Sequence, residues 1–148
     1  MPKQITINKE KIGLGEQKTV NLNIARLPTY TSIDLPVLVY RAPEDGPVLL
    51  LTGGLHGDEI NGVETIRRMI ERELVLPDKG TVIAIPIVNI YGFIQNSRGL
   101  PDGKDINRSF PGARGRVTCQ VNGPYIDVGD HSCCRIWYRF SYGWCLKV

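Results

Sequence analysis

His56 and Glu59 stand three residues apart in the segment Gly53-Gly54-Leu55-His56-Gly57-Asp58-Glu59. On a tight turn leading into a helix, that spacing can aim an imidazole and a carboxylate at one ion. Zinc accepts both ligand types, and a catalytic zinc site uses three protein ligands plus water. The surrounding glycines allow a sharp turn where a Cβ would clash. Three other readings of the pair remain. His56 could make only a hydrogen bond, Glu59 could favour the positive end of a helix dipole, and a glycine-rich turn could cradle phosphate. The last lacks the Gly-Lys-Ser/Thr ending of a phosphate loop. If the pair binds metal, both side chains must converge on one point.

A second polar segment runs Asp105-Ile106-Asn107-Arg108-Ser109-Phe110-Pro111-Gly112. Arg108 offers a planar fork suited to a carboxylate, and Asn107 adds a directional amide donor. Arg98 is a further cation in the same stretch. The plainer alternative is a solvated loop in which Arg108 pairs with Asp102 or Asp105.

The elements that must position these groups can be traced from apolar spacing. Val20, Leu22 and Ile24 alternate with polar residues, as in a half-buried strand. Leu35 to Tyr40 reads as a second strand, with Pro36 favouring an edge or a strand start. Val48 to Thr52 is a short continuous apolar run, the kind found in parallel sheets. Ile60, Val63, Ile66, Ile70 and Leu74 recur at helical spacing. Thr81 to Val88 is another buried strand interrupted by Pro86, and the stretch from Asn89 to Gly112 is rich in loop residues. Strand, helix, strand in this order is a βαβ unit, and ligands in such sheets bind at the carboxyl ends of the strands. That is where the His56 segment lies.

The chain of 148 residues is long enough for one domain with a core. Its net charge of +3, with no basic stripe, argues against a nucleic-acid partner. No apolar run is long enough for a membrane span, and the first ten residues carry no signal-like stretch. A cytoplasmic location is expected. Cys119, Cys133, Cys134 and Cys145 all fall late in the chain. Disulfides are not expected in that compartment, and the adjacent pair suits neither a knuckle nor a bridge.

Gly53 to Glu64 (GGLHGDEINGVE), then an apolar strand, an asparagine-led loop and Arg98 to Gly112 (RGLPDGKDINRSFPG), together resemble the succinylglutamate desuccinylase/aspartoacylase family. That family lies within the zinc carboxypeptidase superfamily. The resemblance covers residues 49–112 and implies an α/β fold, the N-terminal part of a carboxypeptidase-like three-layer domain with a mixed β-sheet. It implies zinc-dependent hydrolysis of an amide, or an ester, in an N-acyl amino acid-type substrate. His56 and Glu59 would be ligands of one zinc ion, and Asn107 and Arg108 would hold the carboxylate of a small-molecule substrate. Arg98 would polarise the scissile carbonyl, and Asp105 would orient its neighbours.

The resemblance also implies a third ligand, a histidine in an aspartate–apolar–histidine–threonine–glycine stretch after Gly112, and a later glutamate as base. Neither is present, and His131 sits in a different context. Composition changes after Gly112, so the expected organisation is a partial hydrolase domain at 1–112 and an atypical tail at 113–148. A tail read out of frame is one explanation. Back-translating residues 137–145 and reading one base later forces glycine at both ends and permits Ile-Asp-Phe-His-Thr-Gly between them, giving Gly-Ile-Asp-Phe-His-Thr-Gly-Gly. On that reading the 148-residue form is inactive. The alternatives are a non-enzymatic carboxylate-binding module, a divergent short protein and a non-functional fragment.

Overall fold

The computed structural model describes residues 4–103, residue 105 and the backbone of strand 134–139. The chain opens with a hairpin that the sequence pattern did not announce, β1 (Ile5–Ile7) against β2 (Glu10–Ile12). Its two-residue turn places Asn8 and Lys9 at φ 48° and 66°. Positive φ at both positions matches the twist that two-residue hairpins need. Ile5, Ile7 and Ile12 are buried. Arg41, itself buried, donates to the Ile12 carbonyl and so ties β2 to the main sheet.

β3 (Gln17–Arg26) and β4 (Ser32–Arg41) form a long antiparallel ladder with a register shift between Asn23 and Ala25. Val20, Leu22, Leu35, Val37 and Val39 share its buried face. The expected edge position for Pro36 is corrected here: β4 lies inside the sheet, between β3 and β6 (Thr81–Ile85). The proline is tolerated because pairing with β6 stops at Leu38↔Ala84. Continuing that register by two residues sets Pro36 opposite Pro86, and neither can donate a ladder hydrogen bond.

The five strands run in the order β3-β4-β6-β5-β7, where β5 is Val48–Thr52 and β7 is Cys134–Arg139. β5 pairs in parallel with both β6 and β7, while β3, β4 and β6 pair antiparallel, so the sheet is mixed. Successive side chains of β5 feed opposite faces. Val48 and Leu50 join the isoleucines of the hairpin, and Leu51 joins Ile66 of α1 (Asn61–Glu71). Burial on both faces is why the strand reads as an unbroken apolar run.

Two ends of the expected helical stripe stay out of the core. Ile60 is 58% and Leu74 65% exposed. The helix stops at Glu71, and Glu73 turns into the left-handed region at φ 58°. That bend swings Leu74 outward and buries Val75 instead. The solvent face of α1 carries Glu64, whose carboxyl is held down at about 2 by hydrogen bonds from Arg67 and Arg68.

Two further elements differ from the sequence expectation. Within the loop-rich stretch, Ile90–Gln95 forms the short helix α2. Within 113–148, read as lacking a strand period, Cys134–Arg139 forms β7. Ile136, Trp137 and Tyr138 are strand-favouring types, and a neighbouring parallel strand supplies the partner that a period-2 pattern does not reveal. Among the described residues no helix is long and apolar enough to cross a membrane.

Candidate metal and substrate site

The turn after β5 is laced to the end of β6. Gly53 N–H donates to the Ile85 carbonyl at 3.0 Å, Val88 N–H to Gly53 at 3.0 Å and Asn89 N–H to Gly54 at 2.9 Å. Gly54 sits at φ +56°, the left-handed region that favours glycine. Leu55 anchors the turn in the core, so the next side chain, His56, is held rigidly and is fully buried.

His56 lies between two carboxylates. Its Nδ1 is 3.1 Å from Glu59 Oε1, and its Nε2 is 2.8 Å from Asp105 Oδ1. A carboxylate only accepts, so Nε2–H donates to Asp105. Nδ1 and Oε1 are then joined either by a second proton or by a cation. Arg98 completes the cluster, its Nη1–H donating to the same Glu59 oxygen at 2.9 Å. The helix-dipole alternative does not account for this arrangement. Glu59 precedes α1, but its carboxylate turns back onto His56 and Arg98, and the helix start has no side-chain cap.

The donor set fits zinc in type and spacing. Two atoms each about 2.0–2.2 Å from one zinc ion stand roughly 3–3.5 Å apart, and His56 Nδ1 and Glu59 Oε1 are 3.1 Å apart. A ligating histidine commonly donates its other ring N–H to a carboxylate, which sets its tautomer and raises its basicity. Asp105 is placed to do this, which gives the expected orienting residue a specific target. Among the described residues no group of three or more His, Cys, Asp and Glu side chains forms a full ligand set.

Arg98 reaches the cluster from a strap after α2. The signals for that helix were its caps: the Asn89 side chain accepts from Gly92 N, and Asn96 closes it at φ 49°. The strap is fastened to the metal turn by Gly57 N–H, which donates to the Ser97 carbonyl at 2.9 Å. The structure thus brings together His56, Glu59, Arg98 and Asp105. Asn107 and Arg108, expected to clamp the substrate, lie outside the described residues, as does His131.

The sequence model of the succinylglutamate desuccinylase/aspartoacylase catalytic domain matches residues 45–120, about half of the chain and every residue of this cluster. Over 82 residues the chain is 39% identical to N-alpha-acetyl-L-2,4-diaminobutyric acid deacetylase of Halomonas elongata, covering 55% of this chain and 24% of that protein. An aspartoacylase family protein of Mesorhizobium loti superposes with a TM-score of 0.55 at 33% identity, over 68% of this chain and 32% of its own. The product-bound ectoine utilization protein of Ruegeria pomeroyi gives 0.56 at 25% identity, over 83% and 38%. The chain therefore spans about a quarter of the curated relative and about a third of these solved structures. With its mixed-sheet α/β fold and the match across residues 45–120, the chain belongs to the succinylglutamate desuccinylase/aspartoacylase family.

Proposed function

We propose that this chain carries the metal-binding and carbonyl-polarising face of a zinc-dependent hydrolase that cleaves the amide bond of an N-acyl amino acid. The observation that supports it most is the convergence of His56 Nδ1 and Glu59 Oε1 while Asp105 occupies the opposite ring nitrogen. The relatives' names point to the same reaction class, one of them deacetylating N-alpha-acetyl-L-2,4-diaminobutyric acid.

His56 and Glu59 would hold the zinc. When bound, the ion lowers the pKa of its water and polarises the substrate carbonyl. Asp105 keeps the His56 ring in place and its Nε2 protonated. Arg98, 57% exposed in its side chain and fixed beside Glu59, can turn a guanidinium N–H toward the carbonyl oxygen as negative charge develops there. Asn107 and Arg108 would grip the substrate carboxylate through a directional amide and a bidentate fork. Holding that carboxylate fixes the scissile bond over the metal and removes orientational freedom before reaction.

With two protein ligands rather than three, zinc should bind the 148-residue form weakly. Equilibrium dialysis is expected to show labile zinc that His56→Ala and Glu59→Ala each abolish. Tight stoichiometric zinc in the unaltered chain would contradict the two-ligand account, unless His131→Ala removes it and so identifies the extra donor. A carboxylate-binding module without metal would bind an N-acetyl amino acid equally well after zinc is stripped.

A further inference from the structure

The strap that carries Arg98 is bracketed on both sides. Ahead of the arginine, the Ser97 carbonyl accepts from Gly57 N–H at 2.9 Å, and Ser97 N–H donates to the Gly92 carbonyl at 2.8 Å. Behind it, the Gly99 carbonyl accepts from Asn89 Nδ2 at 3.2 Å. Asn89 is 1% exposed, so its polar atoms have no solvent to fall back on. Its Oδ1 accepts from Gly92 N–H at 2.8 Å, and its own N–H donates to the Gly54 carbonyl at 2.9 Å. One residue therefore joins three pieces, its backbone holding the turn that bears His56 and its side chain linking the first turn of α2 to the strap that bears Arg98.

We infer that Asn89 is the positioning residue for Arg98. Capping α2 alone does not require an amide, since Asp or Ser caps a helix as well as Asn does. What the amide adds is the Nδ2 donor, and that donor is spent on the residue next to Arg98. Turning the amide over would set donor against donor at Gly92 and acceptor against acceptor at Gly99, so its orientation is determined. With the Ser97 and Gly99 carbonyls both held, the backbone at residue 98 has little freedom. The guanidinium is thereby delivered to Glu59. The Asn89 side chain bonds to Gly92 and Gly99, and through that strap it acts on the arginine.

This inference rests on the reading that Arg98 works at the metal site, and its test needs no turnover. Asn89→Asp keeps the size and the cap acceptor but turns the Gly99 donor into an oxygen. In low-temperature nitrogen-15 NMR spectra of the full chain, the signal of the Arg98 Nη1–H that donates to Glu59 is identified by its loss in Arg98→Lys. In the unaltered protein it is expected to stand apart from solvent-exposed arginines and to exchange slowly. In Asn89→Asp it is expected to move to the exposed-arginine position and exchange roughly tenfold faster, the effect of losing about one hydrogen bond. The Gly92 amide should keep its protection, and Tm should change little. Asn89→Ser, which also caps but cannot reach Gly99, should behave alike and replaces the Asp variant if that one fails to fold. Asn23→Ala, which removes a distant asparagine contact to Asp34, should leave the Arg98 signal in place. An Arg98 signal unchanged in both Asn89 variants overturns the inference while leaving the zinc reading intact. A signal already at the exposed position in the unaltered protein overturns both the inference and the role given to Arg98.

Discussion

A one-base correction near codon 113 is expected to give a chain that binds zinc tightly and hydrolyses N-acyl amino acids, where the 148-residue form does neither well. In the shifted reading, the permitted histidine spans codons 141 and 142. The resemblance puts the missing third ligand in such a stretch, and sequence further on would supply a glutamate base. A third ligand completes a catalytic zinc site, and a base beside the activated water contributes about 10²–10⁴-fold. The gene sequence across codons 108–148 decides the premise. A stop codon before the histidine, or another residue in its place, rules it out. Robust zinc-dependent hydrolysis by the short form would do the same.

Gly57→Ala is expected to be among the most damaging single substitutions outside the metal ligands. A Cβ there would lie 1.9 Å from both the carbonyl carbon and oxygen of Gly92 and 2.4 Å from Phe93 N. All of these are backbone atoms, so no side chain can rotate away, and the metal turn must separate from α2. Overpacking a rigid site costs about 1–3 kcal/mol and occasionally more. This contact belongs at the upper end because the hydrogen bond from Gly57 to Ser97 is lost with it. Urea unfolding should show a lowered midpoint, and zinc binding should weaken as the Arg98 strap is released. Gly103→Ala is the comparison, since a Cβ there meets nothing within 4 Å and strains only a positive φ of 78°. Equal stability of the two variants would contradict the role assigned to the Gly57–Gly92 contact.

The central βαβ unit was legible because its signals are strong and local. The Val48–Thr52 run has no polar interruption, and the residues of α1 repeat at helical spacing. The first hairpin was not, because its strands are three residues each and its turn uses Asn8 and Lys9 rather than a glycine pair. α2 hid in a loop-like composition, its two asparagine caps being easily read as turn residues. Pro36 misled because its cost depends on where a neighbouring strand stops, which is a tertiary fact. The outward turn of Leu74 likewise depends on Glu73 leaving the helical region. At the site, the His56–Glu59 spacing was visible since both residues lie on one turn. The pairing of His56 with Asp105 spans 49 positions and exists only because the loop after α2 returns to the turn after β5. The bracket around Arg98 is of the same kind, made by backbone groups that carry no sequence signature.

The central claim is that His56 coordinates metal through Nδ1 while Asp105 retains Nε2–H. The chain has only two histidines, so nitrogen-15 histidine labelling gives a spectrum in which His56→Ala assigns every ring signal. Added zinc is expected to move the His56 Nδ1 resonance and leave Nε2–H visible and hydrogen-bonded, with the response lost in Glu59→Ala. A zinc response at Nε2, or none at His56 under saturating metal, would contradict the account.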